Sequence, residues 1–249
     1  MSLVWVYAVR DGDADDPPAV SGVDGERPRV VAAGTLGAVV GTVADEGFDE
    51  AGLAAAMEDL ARLEALARAH HAVVVEAGSA GAVAPVRLAT VFRDDEAVVA
   101  MLRERADEFE AALDRVRGRR EWGVKVYADT RAGGDDSPAP APGDRPGTAY
   151  LLRRKADRDR GAAGRERARA VAESVADAAG THAVDVRRFA LQDARLSGRN
   201  EEMVLNATFL VDETQEAEFR AAVTGAGDGA TVELTGPWPP FSFATADPP

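Results

Sequence analysis

The feature that most constrains the fold is the alternation between short β-rich runs and amphipathic helical stretches. Residues 3–9, LVWVYAV, are uncharged and rich in β-branched and aromatic side chains, which predicts a strand buried on both faces. Apolar residues recur every three or four positions over residues 50–70, which predicts an amphipathic helix. A second helix is predicted over residues 93–118, with Asp94 near its N-terminus and Gly118 at its C-cap.

Further strands are predicted around these helices. The predicted strands are residues 72–78 (AVVVEAG), 83–92 (VAPVRLATVF) and 121–127 (EWGVKVY). Residues 30–43 form an insertion before the first helix, with one or two weak strands that Gly34 and Gly37 interrupt. The order strand, helix, strand, strand, helix, strand is typical of a split-βαβ, ferredoxin-like domain.

The fold class predicted is α+β with two domains. We expect a ferredoxin-like N-terminal domain over residues 1–129 and a Pro/Gly/Ala-rich linker or loop over 130–147. The second, smaller α+β domain spans 148–236 and reads helix, strand, strand, helix from Asp212, strand, so its topology is related but lacks an opening strand. A Pro/aromatic tail, 237–249, is expected to pack back and then end in disorder from residue 244.

Composition excludes several classes of function. Of the 249 residues, 46% are hydrophobic, which is enough for a core, while the net charge of −14 argues against binding nucleic acid or an anionic membrane. The absence of cysteine excludes disulfides and thiolate chemistry. The apolar run at the N-terminus is short and is followed by acids, so we expect a cytoplasmic protein without a signal peptide.

No motif in the sequence supplies a catalytic or ligand-binding constellation. The acidic stretch DGDADD lacks the spacing of a calcium loop, and GAGDG follows a helix rather than a strand, unlike a dinucleotide fingerprint. His70 and His71 are adjacent on a predicted helix and cannot both face one metal, and His182 lies far away in sequence. We therefore predict no catalytic residues, no cofactor and no metal, and expect capping or solvent roles for the histidines.

The segment 153–169 carries seven Arg and one Lys together with three acids. One interpretation is a solvated helix face; the other is a docking surface for an acidic partner. The candidate residues for docking are Arg153, Arg154, Arg158, Arg165 and Arg169.

The stretch LTGPWPPFSF, residues 234–243, resembles the characteristic ending of the gas vesicle accessory proteins GvpF and GvpL. Other stretches resemble this family in the same order, namely LVWVYAV, HHAVVVEA, APVRLATVF, REWGVKVY, GTAYLLRRKA and MVLNATFLV. The sequence departs from the usual residues of this family at two places. Phe241 replaces a frequent Tyr, and Leu88-Ala89 replaces an expected Phe-Gly pair. The resemblance is shared by the F and L types.

The resemblance implies a non-enzymatic accessory protein of gas vesicle formation, located in the cytoplasm and associated with gas vesicles. It further implies contact with the small hydrophobic shell protein, of the GvpA type, and with other accessory proteins early in shell assembly. As a holdase or nucleation factor, an acidic protein could present a sheet edge or the cleft between domains to this shell protein. The alternative is a small-molecule-binding regulator or an enzyme, which predicts a deep polar pocket.

The tail itself has two interpretations. The family signature is Gly236, Pro237, Trp238, Pro239, Pro240 and Phe241. The prolines stiffen the backbone and lower the entropy lost on docking, and the aromatic residues supply apolar area, which favours a tail that pins itself back on the fold. The other interpretation is a surface that binds a partner.

Overall fold

The computed structural model describes residues 2–12, 18–129, 146–192 and 201–244. Within these residues, two sheets and six α-helices form a mixed α+β fold, which confirms the predicted fold class. Contacts divide the chain into two compact units, of which unit 1 comprises Met1–Glu121 with Pro237–Pro249 and unit 2 comprises Trp122–Gly236.

Unit 1 contains a five-stranded sheet. Its strands are β1 (Ser2–Asp11), β2 (Arg29–Ala33), β3 (Leu36–Ala44), β4 (Val83–Pro85) and β5 (Val91–Phe92). The order is β2-β3-β1-β4, and β5 also pairs with β1. Its helices are α1 (Glu50–Glu58), α2 (Leu60–Ser79), α3 (Asp95–Glu104) and α4 (Ala106–Val116).

Strand β1 lies at the centre of unit 1. The six residues 4–9 are each at most 5% exposed, and both α2 and α4 contact this strand. Because side chains alternate between the two faces of a strand, such a continuous buried run requires cover on both faces. The predicted two-sided burial of residues 3–9 is therefore confirmed, except that Leu3 is only half-buried.

The insertion at residues 30–43 is a strong hairpin rather than a pair of weak strands. Strand β3 pairs antiparallel with β1 from Ser2↔Ala44 to Asp11↔Leu36, and β2 pairs with its other side. Gly34 lies in the connecting turn with φ +68°, a left-handed conformation that glycine adopts without steric cost. The glycine that was expected to interrupt the strands therefore makes the turn that joins them.

Residues 72–78 are helical, so the strand predicted there is wrong. Helix α2 continues through them to Ser79, and its buried residues are Leu66, His70, Val73, Val74, Ala77 and Gly78. These positions recur at helical spacing, so packing of this face against the sheet overrides the β-propensity of a three-valine run. The preceding helix is also divided, because Asp59 ends α1 and caps α2 by accepting hydrogen bonds from the amides of Ala61 and Arg62.

The single strand predicted over residues 83–92 is two short strands, β4 and β5. Ala89, between them, has φ +65°, so the residue that replaces the family's expected glycine occupies a left-handed conformation. The helix predicted over residues 93–118 is divided at Arg105 into α3 and α4. Its predicted ends are confirmed, since Asp94 accepts a hydrogen bond from the amide of Ala97 (2.8 Å) and Gly118 has φ +67°.

Unit 2 carries the ferredoxin-like βαββαβ order. Its elements are β6 (Arg119–Ala128), α5 (Pro146–Thr181), β7 (Asp185–Arg188), β8 (Glu202–Asp212), α6 (Glu216–Ala226) and β9 (Thr231–Trp238). The sheet order is β7-β8-β6-β9. Strand β6 was expected to close the first domain, but it opens the second, and so supplies the strand that the second domain was expected to lack.

This pairing explains why the contact division between the units falls at Glu121 rather than at residue 129. The expected linker lies outside the described residues from 130 to 145, and residues 146–147 already belong to α5. The core of unit 2 includes Trp122, Val175, Phe209 and Phe219, which are at most 4% exposed. Asp212 precedes a 3-10 turn at Glu213–Gln215 and makes no side-chain capping hydrogen bond there.

Candidate functional site

The carboxyl-terminal tail packs against unit 1 through its prolines and its last described residues. Pro239 and Pro240 are buried, Phe243 is 5% exposed and Ala244 is 1% exposed. The residues after Ala244 lie outside the described part of the chain. Trp238 differs from this group, because it is 40% exposed.

The second half of α2 forms the seat of the tail. The ring of Pro239 comes within 3.3 Å of the point where a Cβ on Gly78 would lie, so a larger residue there would push the tail outward. The ring of Phe241 stacks on His71 at 4.9 Å between centroids, and Trp238 lies against the same imidazole at 5.7 Å. Burial lowers the pKa of His71.

A buried carboxylate also holds the tail. Glu121 is 5% exposed, and its two oxygens accept hydrogen bonds from the backbone amide and the hydroxyl of Ser242, both at 2.7 Å. These contacts satisfy polar atoms that are buried away from water, where an unsatisfied group would be costly. The tail is thus fixed by a specific polar contact as well as by apolar burial.

His70, next to His71 on α2, points into the core instead. It is 6% exposed, and its Nδ1 accepts a hydrogen bond from the indole of Trp5 (3.0 Å). Burial lowers the pKa of His70 to about 4, so the imidazole is neutral at pH 7. Its expected capping or solvent role is wrong, because residues adjacent on a helix point about 100° apart and this one faces the sheet.

The six signature residues therefore differ in burial. Pro239 and Pro240 are buried and Phe241 is partly buried, whereas Pro237 and Trp238 are exposed. Gly236, in β9, has φ +127°. The exposure of Trp238 was not evident from the sequence, because a Trp between two prolines has the same local pattern whether its ring is buried or exposed.

The predicted basic face lies on α5. Arg154, Arg158, Arg165 and Arg169 are exposed and fall within an arc of about 60° on this helix. Arg153 belongs to the same helix, but its side chain lies outside the described part of the structure. Arg169 pairs with Glu173 at 3.0 Å, and this hydrogen bond raises the pKa of the guanidinium.

Two of these arginines line a groove on unit 2. This groove, called the α5 groove below, has a volume of about 400 Å³ and is lined by Arg165, Ala168, Arg169, Ala172, Glu173, Arg188, Leu191, Glu202, Met203, Val204 and Leu205. The sequence predicted Arg165 and Arg169 from the concentration of arginine over residues 153–169, but it did not predict the groove residues from β7 and β8. The missed signal was the stretch HAVDVRRFAL, in which apolar residues alternate with charged ones.

The edge of the second sheet exposes apolar side chains beside this groove. Exposure is 48% for Val184, 44% for Val186, 46% for Phe189 and 55% for Leu191. The backbone is nevertheless tied to β8, because the amide of Val184 donates to Leu210 (2.7 Å) and that of Phe189 to Asn206 (2.8 Å). We call these four residues the β7 edge.

Among the described residues, no group of three or more His, Asp or Glu is placed to hold a metal ion. An open pocket of about 550 Å³ is lined by Ala44, Asp45, Glu46 and Asp49, whose three carboxylates bring no nucleophile or base together with an electrophilic partner. No helix in the described part of the chain is long and apolar enough to cross a bilayer.

The fold and these surfaces define an acidic, two-unit α+β protein whose candidate sites are open surfaces on its sheet edge, its long helix and its tail. The family model described as gas vesicle synthesis protein GvpL/GvpF matches residues 3–245, and the chain belongs to this family. The family resemblance of the sequence is thereby confirmed, and the chain is a member of the gas vesicle accessory proteins.

Individual relatives agree with this assignment. Gas vesicle protein L of Streptomyces sp. (strain CB03234) is 42% identical over 97% of this chain and 92% of its own length. Gas vesicle protein F of the same strain is 30% identical, over 96% of this chain and 98% of its length. The crystal structure of GvpF from Anabaena sp. PCC7120 matches with a TM-score of 0.70 and 19% identity, covering 99% of this chain and 98% of that one, which shows a shared fold.

Proposed function

We propose that the chain binds the small hydrophobic shell protein of gas vesicles, of the GvpA type, and other accessory proteins during early shell assembly. It acts as a holdase or nucleation factor in the cytoplasm and at the growing vesicle, by binding rather than by catalysis. The family assignment supports the general role, and the β7 edge is the single observation that supports the mode of action.

The β7 edge suits a partner that must be kept from aggregating. Its four large apolar side chains are 44–55% exposed on an ordered backbone, so a partner would bury them without first ordering the segment. Each Å² of apolar surface removed from water contributes about 25 cal/mol. The net charge of −14 on the rest of the chain would keep the complex soluble.

The proposal is tested by producing the full chain together with the shell protein and measuring how much shell protein stays in solution after ultracentrifugation. The Val186→Asp/Phe189→Asp variant places charges on the β7 edge. A matched control, Met57→Asp/Leu60→Asp, makes the same change at residues of unit 1 that are 44% and 79% exposed. Circular dichroism melts of both variants check that they fold.

The wild type and the control should keep the shell protein soluble, and the edge variant should keep at least tenfold less. A wild-type chain that leaves the shell protein in the pellet would refute binding itself. An edge variant that performs as well as the wild type would refute the β7 edge as the contact.

A further inference from the structure

We propose that the α5 groove receives an amphipathic helix whose apolar stripe is flanked by acidic residues, contributed by the protein that the chain binds. This inference rests on the proposed function, because it specifies which segment of a partner is recognised and where. It concerns unit 2 alone, where every lining residue of the groove lies.

The floor of the groove is apolar and shaped for close approach. Ala168 and Ala172 are 4% and 7% exposed, and Met203 and Leu205 from β8 lie opposite them at 5%. Small side chains on α5 allow another element to come near its axis, because the distance between packed helices depends on the side chains at the contact. The volume of about 400 Å³ lies within the range of pockets that hold small ligands.

The spacing of the α5 residues favours a helix as the occupant. The α5 residues at the groove are Arg165, Ala168, Arg169, Ala172 and Glu173, which recur as i, i+3, i+4, i+7 and i+8. This is the face that one helix presents to another, and it spans about 12 Å, or roughly two turns. An amphipathic helix that lies in an apolar groove uses the same spacing for its anchor residues.

The charged residues that line the α5 groove favour an occupant with negative charge. Arg165 and Arg169 lie on one side and Arg188 on the other, against Glu173 and Glu202, so the lining carries one net positive charge in a chain of −14. Guanidinium groups bind carboxylates in a bidentate geometry. The exposed Arg169–Glu173 pair contributes little by itself, so a partner carboxylate can exchange with Glu173 at small cost.

A single-stranded nucleic acid fits this lining less well than an acidic helix does. Binding of single strands depends on aromatic side chains on which bases stack, and none of the residues that line the α5 groove is aromatic. The many carboxylates elsewhere on the chain would also repel phosphates.

The experiment uses two synthetic helical peptides with the same Leu/Ala stripe, one flanked by Glu and one by Lys. Their affinity for the full-length chain is measured by fluorescence anisotropy at low and high salt. Arg165→Glu reverses a charge on the rim, and Leu191→Asp places a charge in the groove at a residue that is 55% exposed. The matched control is Arg167→Glu, because Arg167 is exposed on the same helix about 200° away and the change in net charge is identical.

The Glu-flanked peptide should bind at least tenfold more tightly than the Lys-flanked peptide, and less tightly at high salt. Arg165→Glu and Leu191→Asp should each weaken it tenfold or more, and Arg167→Glu should change its affinity less than twofold. Arg165→Glu should also improve binding of the Lys-flanked peptide, which a merely destabilised fold would not do.

Equal affinity for the two peptides would overturn the proposal, as would equal losses in Arg165→Glu and Arg167→Glu. Self-association of the chain that the Glu-flanked peptide displaces would also overturn it, in favour of a second copy as the occupant. Soluble shell protein with both the wild type and Arg165→Glu would leave the proposed function standing and refute the groove. Specific binding of the Glu-flanked peptide, with shell protein in the pellet, would support the groove and refute the proposed function.

Discussion

A comparison of Phe243→Ala with Trp238→Ala tests how much the buried and the exposed part of the carboxyl-terminal tail stabilise the fold. Phe243 is 5% exposed, so its truncation removes a ring from the protein interior and should cost about 3–5 kcal/mol. Trp238 is 40% exposed, so it buries about 120 Å² of a side chain that presents roughly 200 Å². At about 25 cal/mol per Å² this area corresponds to an upper limit of about 3 kcal/mol. Because the unfolded chain already buries part of its apolar surface, truncation of Trp238 should cost about 2 kcal/mol.

Thermal unfolding of the full chain, followed by circular dichroism, measures this difference. For a chain of this size, each kcal/mol lowers Tm by about 2–4 °C, which predicts a decrease of about 6–20 °C for Phe243→Ala and about 4–8 °C for Trp238→Ala. Leu60→Ala serves as a control, because this residue is 79% exposed and its truncation should have little effect.

A loss of stability in Trp238→Ala that equals that in Phe243→Ala would refute the reasoning, because burial would then not decide the contribution of each ring. An unchanged Tm in Phe243→Ala would show that the tail does not contribute to the stability of the fold. A smaller loss of stability in Trp238→Ala than in Phe243→Ala would be consistent with a second role for the exposed Trp238 ring in binding a partner.

Three further predictions concern unit 1. Burial lowers the pKa of His70 to about 4 from an ordinary 6.5, so the unfolded chain binds more protons between these values. The free energy of unfolding should therefore decrease as the pH falls from about 6.5 to 4, by on the order of 3 kcal/mol, and His70→Gln should flatten this slope in urea titrations. Asp94→Ala removes the N-cap of α3 and should cost about 1 kcal/mol in the same assay. Ala89→Gly relieves a left-handed conformation and should raise stability by about 0.5–1 kcal/mol, whereas Gly34→Ala should lower it by about 1 kcal/mol.

Each of these predictions has a contrary result. The same pH slope in His70→Gln and the wild type would mean that other groups carry it. His71→Gln, which removes an exposed imidazole whose pKa burial also lowers, should flatten the slope less than His70→Gln does. Asp94→Asn keeps a capping oxygen and should cost less than Asp94→Ala, so equal losses would exclude the cap as the cause. A decrease in stability for Ala89→Gly would mean that lost side-chain contacts outweigh the backbone strain.

Local patterns were sufficient for most of the elements. The uncharged run of β1, the periodicity of α3 and α4, and the long helix α5 were predictable, because burial on one or both faces leaves a regular trace in neighbouring residues. The Asp94 cap was predictable for the same reason, whereas Asp212 makes no side-chain capping hydrogen bond at the helix start predicted there. The family was recognisable from the tail signature together with the order of the other stretches.

Local sequence patterns gave the wrong answer where the structure of a segment depends on packing or pairing with an element far away in sequence. The valines of residues 72–78 suit a strand by propensity, yet they are helical because the helical face containing Val73 and Ala77 packs on the sheet. Strand β6 was recognised as a strand, but its place between β8 and β9 depends on pairing that no local feature encodes.

The candidate sites divide in the same way. The sequence alone determined the acidic charge, the arginine stripe on α5 and the proline-stiffened tail, because each depends only on neighbouring residues. Tertiary structure decided that Arg165 and Arg169 face Met203 across a groove, that the β7 edge is exposed, and that Phe243 is buried while Trp238 is not. Those outcomes depend on strand order and on where the tail comes to rest, which are properties of contacts between distant residues.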